Sequence, residues 1–471
     1  MTTLEQHPHV RTVREAVGDR DGVWVVGGTV RDALLGREIA DIDLAVAGDA
    51  EPVARAVAKA VRGPAFPLSD EFGTWRAIAR GEGWVCDVSP LQADTLAGDL
   101  ALRDFTVNAM AVPLAGGELV DLHGGRADLD ARVLRVLDGA YERDPLRPLR
   151  LVRFATELGF APDPATERAT REAAEAVTRA SPERIFAELR RIVVADAVLD
   201  GLELAARLGI TRAVLPELEE LRGVEQSAYH HLDVHDHTIE VLRRQLELER
   251  DLGAVFGEHA PRIEAILAQP LADELTRGQA LRFAALLHDI AKPATREVQE
   301  NGRVTFMGHD VEGERMIAEV CARLRTSTKL RDYLGRLTRH HLVLGFLVHE
   351  RPLSRRHVHA YLRRTEPVEV EVTVLSCADR LATRGRKAEE AIALHLELAR
   401  QVMGPALEWR EHGPPRPLVR GDELAEELGI EPGPELGRLL AELEAAQYAG
   451  EVATREEAVA HARAVRENQP G

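Results

Sequence analysis

The stretch VVGGTVRDALLGREIADIDLAVAGD, residues 25–49, breaks an apolar run with Gly27 and Gly28 and carries two aspartates one residue apart near its end. Alternate residues of a strand share a face, so DIDLAV places Asp41 and Asp43 side by side with Ile42 buried behind them. Two parallel carboxylates form a hard oxygen site suited to Mg2+, and a third would hold a second ion. Asp87 is the candidate third acid. RAIARGEGWVCDVSP, residues 76–90, reads as a hairpin around Gly81 and Gly83 that returns Asp87 toward the same sheet. The glycine pair lets backbone N–H groups approach phosphates, and Arg31 follows on the next helix. No Gly-x-x-x-x-Gly-Lys-Ser/Thr loop is present, which argues against a P-loop ATPase. Taken alone, the stretch also fits a solvated turn with two exposed acids.

A second dense patch is GDLALRDFTVNAMAV, residues 98–112. Arg103, Asp104 and Asn108 are spaced to reach one ligand from a single turn or short helix. An arginine there can neutralise triphosphate oxygens, and Asn108 can hold a sugar hydroxyl; ordinary surface residues would have the same spacing.

The chain around these patches is long and acidic. Its 471 residues predict three or four modules, and 45% apolar content suffices for their cores. A formal charge of −18 excludes indiscriminate nucleic-acid binding while leaving room for a local basic face. Without a charged-then-apolar N-terminus or an apolar run near 18 residues, the chain is expected to be soluble and cytoplasmic, with no membrane contact. Cys86, Cys321 and Cys377 lack metal-ligand spacing and fit a reducing compartment. Strand-like runs at 23–26, 43–46, 75–79 and 84–88 alternate with helical stretches, predicting an α/β head. From about 141 onward the pattern is helical, with breaks near residues 159–164, 181–182, 216, 270, 302 and 413–417.

Four segments occur in a telling order: GGTVRDALLGREIADIDL, LRDFTVNAMA, DLHGGRADL and RDPLRPLRLVRFATELGF. With SPERIFAELRRI after them, residues 20–220 resemble the class II tRNA nucleotidyltransferase and bacterial poly(A) polymerase family. The resemblance implies a polymerase-β-like head, a mixed sheet with flanking helices, that uses CTP or ATP with Mg2+ to extend an RNA 3′ end without a template. By the same resemblance Asp41, Asp43 and Asp87 are catalytic. Gly27, Gly28, Arg31, Arg103, Asp104, Asn108, Asp144, Arg147, Arg150 and Arg153 bind nucleotide. The 3′ end and acceptor arm of tRNA are the partner, and no stable protein partner is expected.

In that family an Asp and an Arg three residues apart select the base, here Asp144 and Arg147. An ionised Asp only accepts hydrogen bonds and an Arg only donates them. Cytosine and adenine offer an amino donor beside an unprotonated ring nitrogen; guanine and uracil offer the reverse. One such pair gives roughly 1–3 kcal/mol of discrimination by analogy with base readout in DNA. Asp144 followed by Pro145 is also a good helix N-cap and N1 combination, a purely structural alternative. The sequence departs from the family at Arg143, where Glu is usual, at Leu102 for Arg and at Gly98 for Glu.

A second constellation lies between 230 and 380: HHLDVHDHT, LLHDIAKP, FMGHD, TRHHL and CADR. His237, His288, Asp289, His309, His341 and Asp379 resemble the ordered ligands of the His-Asp (HD) metal-dependent phosphohydrolase superfamily. The resemblance implies a divalent metal of unspecified identity, with Lys292 in reach of a phosphate. Spacing leaves open whether His340 or His341 is the ligand. Such a domain would trim damaged or cyclic-phosphate RNA ends, or serve only as a scaffold.

Residues 323–364 contain eleven Lys or Arg against two acids, and RLATRGRK (380–387) adds four basic residues. This local reversal is a candidate tRNA footprint, as is the helix start after PGPELG in the tail. The expected domains are 1–140 (head), 141–224 (helical neck), 225–400 (HD type) and 401–471 (helical tail). The expected activity is addition of C and A to tRNA 3′ ends. A poly(A) polymerase and a CC-only or A-only enzyme are the near alternatives, and a guanosine-polyphosphate enzyme or a catalytically dead scaffold the remoter ones.

Overall fold

The computed structural model describes residues 4, 6–39, 41–69, 72–81, 83–226, 231–384 and 388–467. The head begins with helix α1 (Pro8–Val17), strand β1 (Val23–Val26) and helix α2 (Gly27–Leu34), followed by β2 (Asp41–Val46) and α3 (Glu51–Ala60). Strands β3 (Ala65–Ser69), β4 (Thr74–Ile78) and β5 (Val85–Pro90), helix α4 (Leu96–Ala101), and strands β6 (Met110–Pro113) and β7 (Val120–Asp121) complete it. The strands lie in the order β3-β4-β5-β2-β1-β6-β7. Only β2 and β5 run parallel; every other neighbouring pair is antiparallel. This is the mixed sheet with flanking helices that the sequence predicts.

Alternation explains the central strands. In β2, Ile42 and Leu44 are buried on one face while Asp41 and Asp43 point to the other. In β5, Cys86 and Val88 are buried and Asp87 takes the polar face. Val26, Ala45, Leu100, Ala109, Ala111, Leu137 and Ala140 form one apolar cluster that ties α4 and the segment after it to the sheet.

The chain divides into two compact units, Met1–Val214 and Leu215–Gly471. The first adds helices Arg147–Leu158, Pro164–Ala173, Pro182–Val194 and Val198–Arg207 to the head. In the second, helices Val234–Arg250, Arg277–Leu287, His309–Arg323, Thr328–His340 and Glu369–Ala382 carry the His and Asp constellation. The last three helices, Gly421–Leu428, Pro434–Ala449 and Arg455–Glu467, surround their own core of Leu424, Leu436, Leu439, Leu443 and Ala458. Among the described residues no helix is long and apolar enough to cross a membrane.

Two expected boundaries are corrected. Position 400/401 falls inside the continuous helix Ala388–His412, which passes through Pro405 without ending. The chain breaks at Gly413 instead, so the tail module starts after it. Position 140/141 falls inside the short helix Ala140–Arg143. Asp144 is likewise not the cap of the following helix: that helix starts at Arg147 with Leu146 at its N-cap, and Asp144 Oδ1 accepts from the Leu146 N–H at 3.0 Å.

Candidate active site and metal centre

The head site forms where β2, β5 and α2 meet. Asp43 and Asp87 stand opposite each other in the β2–β5 register. Gly27 starts α2 at φ +63°, a conformation that side chains resist. A Cβ on Gly27 would lie 2.8 Å from Arg103 Nη1 and 3.7 Å from Asp43 Oδ2; one on Gly28 would lie 3.6 Å from the same oxygen. The glycines therefore keep the space beside Asp43 open. Thr29, which the sequence reading missed, fixes the helix start to the strand. Its hydroxyl accepts from the Asp43 N–H at 2.8 Å and donates to the Asp41 carbonyl at 3.2 Å.

Like charges crowd this corner. Burial, then the charge of Asp87, pushes the Asp43 carboxyl up to about 6, with Asp41 adding to the shift and Arg103 and Arg31 opposing it. Three neighbouring carboxylates that offer only oxygen donors fit a hard divalent cation. Arg103 is held by Asp99, from Nη2 to Oδ2 at 3.1 Å, while its buried Nε has no hydrogen-bond partner among the described residues.

The other residues expected to touch nucleotide form an internally bonded chain. Arg31 donates to both oxygens of Asp32 at 2.9 Å and from Nη1 to Asn108 Oδ1 at 2.6 Å. The Asn108 amide donates to Asp104 Oδ1 at 2.9 Å, and Arg150 grips Asp104 Oδ2 at 2.8 and 3.0 Å. Asp104 is thus buried and fully engaged, and it acts by holding Asn108 and Arg150. Burial opposes its ionisation, yet Arg150 and the Asn108 amide outweigh burial and hold its carboxyl at about 2. Arg153 is a correction. It is only 3% exposed and is bound by Glu188 and Glu157, with its guanidinium 4.0 Å from the centroid of Phe154. That geometry gives it a packing role rather than a ligand contact.

Asp144 and Arg147 are both oriented. Arg184 Nη2 donates to Asp144 Oδ2 at 2.7 Å. Arg147 donates to the carbonyls of Leu102 (2.9 Å), Arg103 (3.0 Å) and Ala140 (3.2 Å). Arg143, standing where the family usually has Glu, donates to the carbonyls of Ala101 (3.1 Å) and Asp138 (2.6 Å). The support that a Glu would lend Arg147 comes from the backbone.

In the second unit, five helices bring all six expected ligands together. His237 Nε2 lies 3.0 Å from Asp379 Oδ1 and 3.7 Å from Asp289 Oδ2. His288 Nε2 is 3.1 Å from Asp289 Oδ2; His309 Nε2 and His341 Nε2 are 3.4 and 3.8 Å from its Oδ1. The ligand atoms make two trios, His237–His288–Asp289 and Asp289–His309–His341, that share Asp289. It is His341, not its neighbour His340, that reaches Asp289.

Three of the four inward Nε2 atoms are set from behind. His288, His309 and His341 place Nδ1 at 2.9, 2.6 and 2.6 Å from the carbonyls of Ala285, Phe306 and Thr338, three residues earlier. Nδ1 then carries the proton and Nε2 is left as an acceptor, the arrangement that orients metal-binding imidazoles. Among the described residues, the buried Asp289 Oδ1 and His309 Nε2 have no hydrogen-bond partner. Burial and the nearby His288 lower the His341 imidazole to about 4, so it is neutral near pH 7. These donors fit a borderline divalent metal. Lys292 Nζ sits 2.7 Å from Asp289 Oδ2 and from Gln226 Oε1, the second a partner that the sequence did not suggest.

The basic segment 323–364 is less cationic than its composition suggests. Arg323 pairs with Glu217, Arg339 with Asp310, Arg356 with Glu442 and Glu451, and Arg363 with Glu366 and Glu444. Arg386 and Lys387 of RLATRGRK lie outside the described residues.

Known proteins share this organisation. Residues 23–135 match the Poly A polymerase head domain, 159–221 the "Probable RNA and SrmB- binding site of polymerase A", and 234–384 the HD domain. An A-adding tRNA nucleotidyltransferase of Deinococcus radiodurans is 37% identical over 96% of this chain and 97% of its own. A CC-adding tRNA nucleotidyltransferase of Thermus thermophilus is 35% identical over 92% of this chain and 91% of its own. The solved Thermotoga maritima CCA-adding enzyme complexed with tRNA shares the fold at a TM-score of 0.62 and 22% identity, over 99% of this chain and 98% of that one. The chain belongs to the tRNA nucleotidyltransferase and poly(A) polymerase family, with an HD domain following its head and RNA-binding segments.

Proposed function

We propose that this protein adds C and A residues to the 3′ end of tRNA, using CTP and ATP with Mg2+, in the cytoplasm. The observation that carries the reading is the in-register pair Asp43 and Asp87, with Asp41 beside them, facing the space that Gly27 and Gly28 keep open. Relatives at 37% and 35% identity that act on tRNA support the substrate, and three buried free cysteines fit a reducing compartment.

Asp41, Asp43 and Asp87 would hold the magnesium, which when bound supplies charge neutralisation at the reacting phosphate. The amides at the start of α2 and the Arg103 guanidinium face the same space and bind phosphate oxygens. The RNA 3′-hydroxyl attacks the α-phosphate and pyrophosphate leaves, so catalysis rests on positioning and charge rather than on a covalent enzyme group. Asp144 and Arg147 choose the base, Asp144 accepting from the exocyclic amine and Arg147 donating to the ring nitrogen.

The narrower product ranges form a second reading, favoured by the single-step activities in the relatives' names. Purified protein incubated with tRNA lacking CCA, and with tRNA ending in CC, each with one labelled nucleotide, separates the three. Absence of C addition to the first substrate would reduce the claim to A addition.

For the HD centre, we propose metal-dependent hydrolysis of phosphate esters at RNA ends. Its support is the convergence of the six ligands, with Asp289 Oδ1 and His309 Nε2 buried and unsatisfied among the described residues. RNA ending in a 2′,3′-cyclic phosphate is the diagnostic substrate; no hydrolysis with any divalent metal would reduce the domain to a scaffold.

A further inference from the structure

β4 pairs with β5 on the side opposite β2, and in that register Arg76 stands directly across from Asp87. Asp87 stands in turn across from Asp43. Directly opposed residues of neighbouring strands share a face, so a guanidinium and two carboxylates form a row over three strands. Arg76 donates from Nε and Nη2 to Oδ1 and Oδ2 of Asp87, both at 2.7 Å.

This is the planar two-point match of guanidinium and carboxylate, which fixes orientation as well as distance. The pair is partly exposed, at 34% and 22% of the two side chains, a setting in which ion pairs add little to folding. Its other consequence is geometric. By donating to both oxygens, Arg76 fixes the rotation of the Asp87 carboxylate on the face that it shares with Asp43.

We propose that Arg76 is a positioning residue for nucleotidyl transfer, holding the Asp87 carboxylate beside Asp43 as the third acid of the cation site. The inference rests on the transferase reading of Asp41, Asp43 and Asp87. A lysine in its place would supply charge without the fork and restore only part of the effect.

The test compares full-length wild type, Arg76→Gln, Arg76→Lys, Asp87→Asn and the Arg76→Gln/Asp87→Asn double variant. Nucleotide addition to tRNA is followed as a function of nucleotide and Mg2+ concentration, and metal binding by Mn2+ titration with electron paramagnetic resonance. Arg76→Gln is expected to lower kcat at least tenfold, leave the nucleotide KM within twofold, and raise the Mg2+ concentration needed for half-maximal rate. Arg76→Lys should fall between Arg76→Gln and wild type. In the Asp87→Asn background, Arg76→Gln should cost less than a further twofold in rate and in Mn2+ affinity, because its effect passes through Asp87. Losses that multiply in the double variant, or an Arg76→Gln enzyme with wild-type kcat and metal dependence, would overturn the inference. Full turnover by Asp87→Asn would instead remove Asp87 from the cation site, a failure of the underlying reading that is visible separately.

Discussion

Asp43 and Asp87 occupy directly opposed positions on neighbouring parallel strands. Burial and this neighbour push the Asp43 carboxyl up to about 6. An acid with a raised folded value is penalised when it ionises, so in metal-free protein this group costs stability as pH rises from about 4 through 6. Asp43→Asn is therefore expected to stabilise the metal-free protein at pH 7.5 by on the order of 2 kcal/mol and to be neutral at pH 4. Thermal melts at the two pH values check it. The same variant should lose about 10²–10³-fold or more in nucleotide addition, the scale of a lost preorganised charge contact.

Arg147 and Arg143 should respond differently to substitution. Arg147→Ala removes the donor proposed to read the base, and discrimination of C or A over U is expected to fall roughly tenfold to a hundredfold. Arg143→Glu leaves the three carbonyl contacts of Arg147 in place. The ratio of C to A incorporation should then change less than about threefold, a bound scaled to the loss of under one such contact. Single-nucleotide incorporation on tRNA ending before and after CC measures both.

Asp104 links Asn108 to Arg150 within the head unit. Replacing it with Ala leaves the Asn108 amide unpaired and the half-buried Arg150 with only Glu188 at 3.7 Å, and is expected to cost about 1–3 kcal/mol. Because the folded carboxyl is held at about 2, below its ordinary value, its contribution is complete above pH 4. On the order of 2 kcal/mol should disappear as pH falls from about 4 to 2. Urea unfolding of wild type and Asp104→Ala across that interval tests the sign, since the difference between them must shrink in acid.

The two metal sites should separate under chelation. The head offers only carboxylate oxygens, whereas the HD centre offers four imidazoles with two aspartates. Protein stripped with a strong chelator and resupplied with Mg2+ is expected to recover nucleotide addition and to leave phosphohydrolysis low until a transition metal is added. His309→Ala should abolish the second activity and spare the first. Elemental analysis of the purified chain, before and after that substitution, gives an independent count of bound metal.

Much of this was readable from residue order because two short periodicities do the placing. Alternation in DIDLAV fixed the faces of Asp41, Ile42 and Asp43, and the Gly81–Gly83 turn brought Asp87 to the same sheet. The pairing of Arg76 with Asp87 was not legible in this way: counting outward from Gly81–Gly83 pairs 76 with 88, and the observed register is shifted by one residue. Other partners were not legible either. Glu188 and Arg184 reach Arg153 and Asp144 from a helix some forty residues later, and no local pattern announces which acid meets which arginine. Composition misled for residues 323–364, because the acids that neutralise Arg323 and Arg356 lie roughly a hundred residues away. The boundary placed at 400 failed because nothing in the Ala388–His412 helix interrupts its pattern strongly enough to end it; even Pro405 is accommodated.

Arg147 leans on the carbonyls of Leu102, Arg103 and Ala140. A carbonyl is common to every residue type, so no exchange of neighbouring side chains deletes those acceptors. The grip on Arg147 is therefore independent of the side chain at position 143, which directs its own hydrogen bonds to the carbonyls of Ala101 and Asp138.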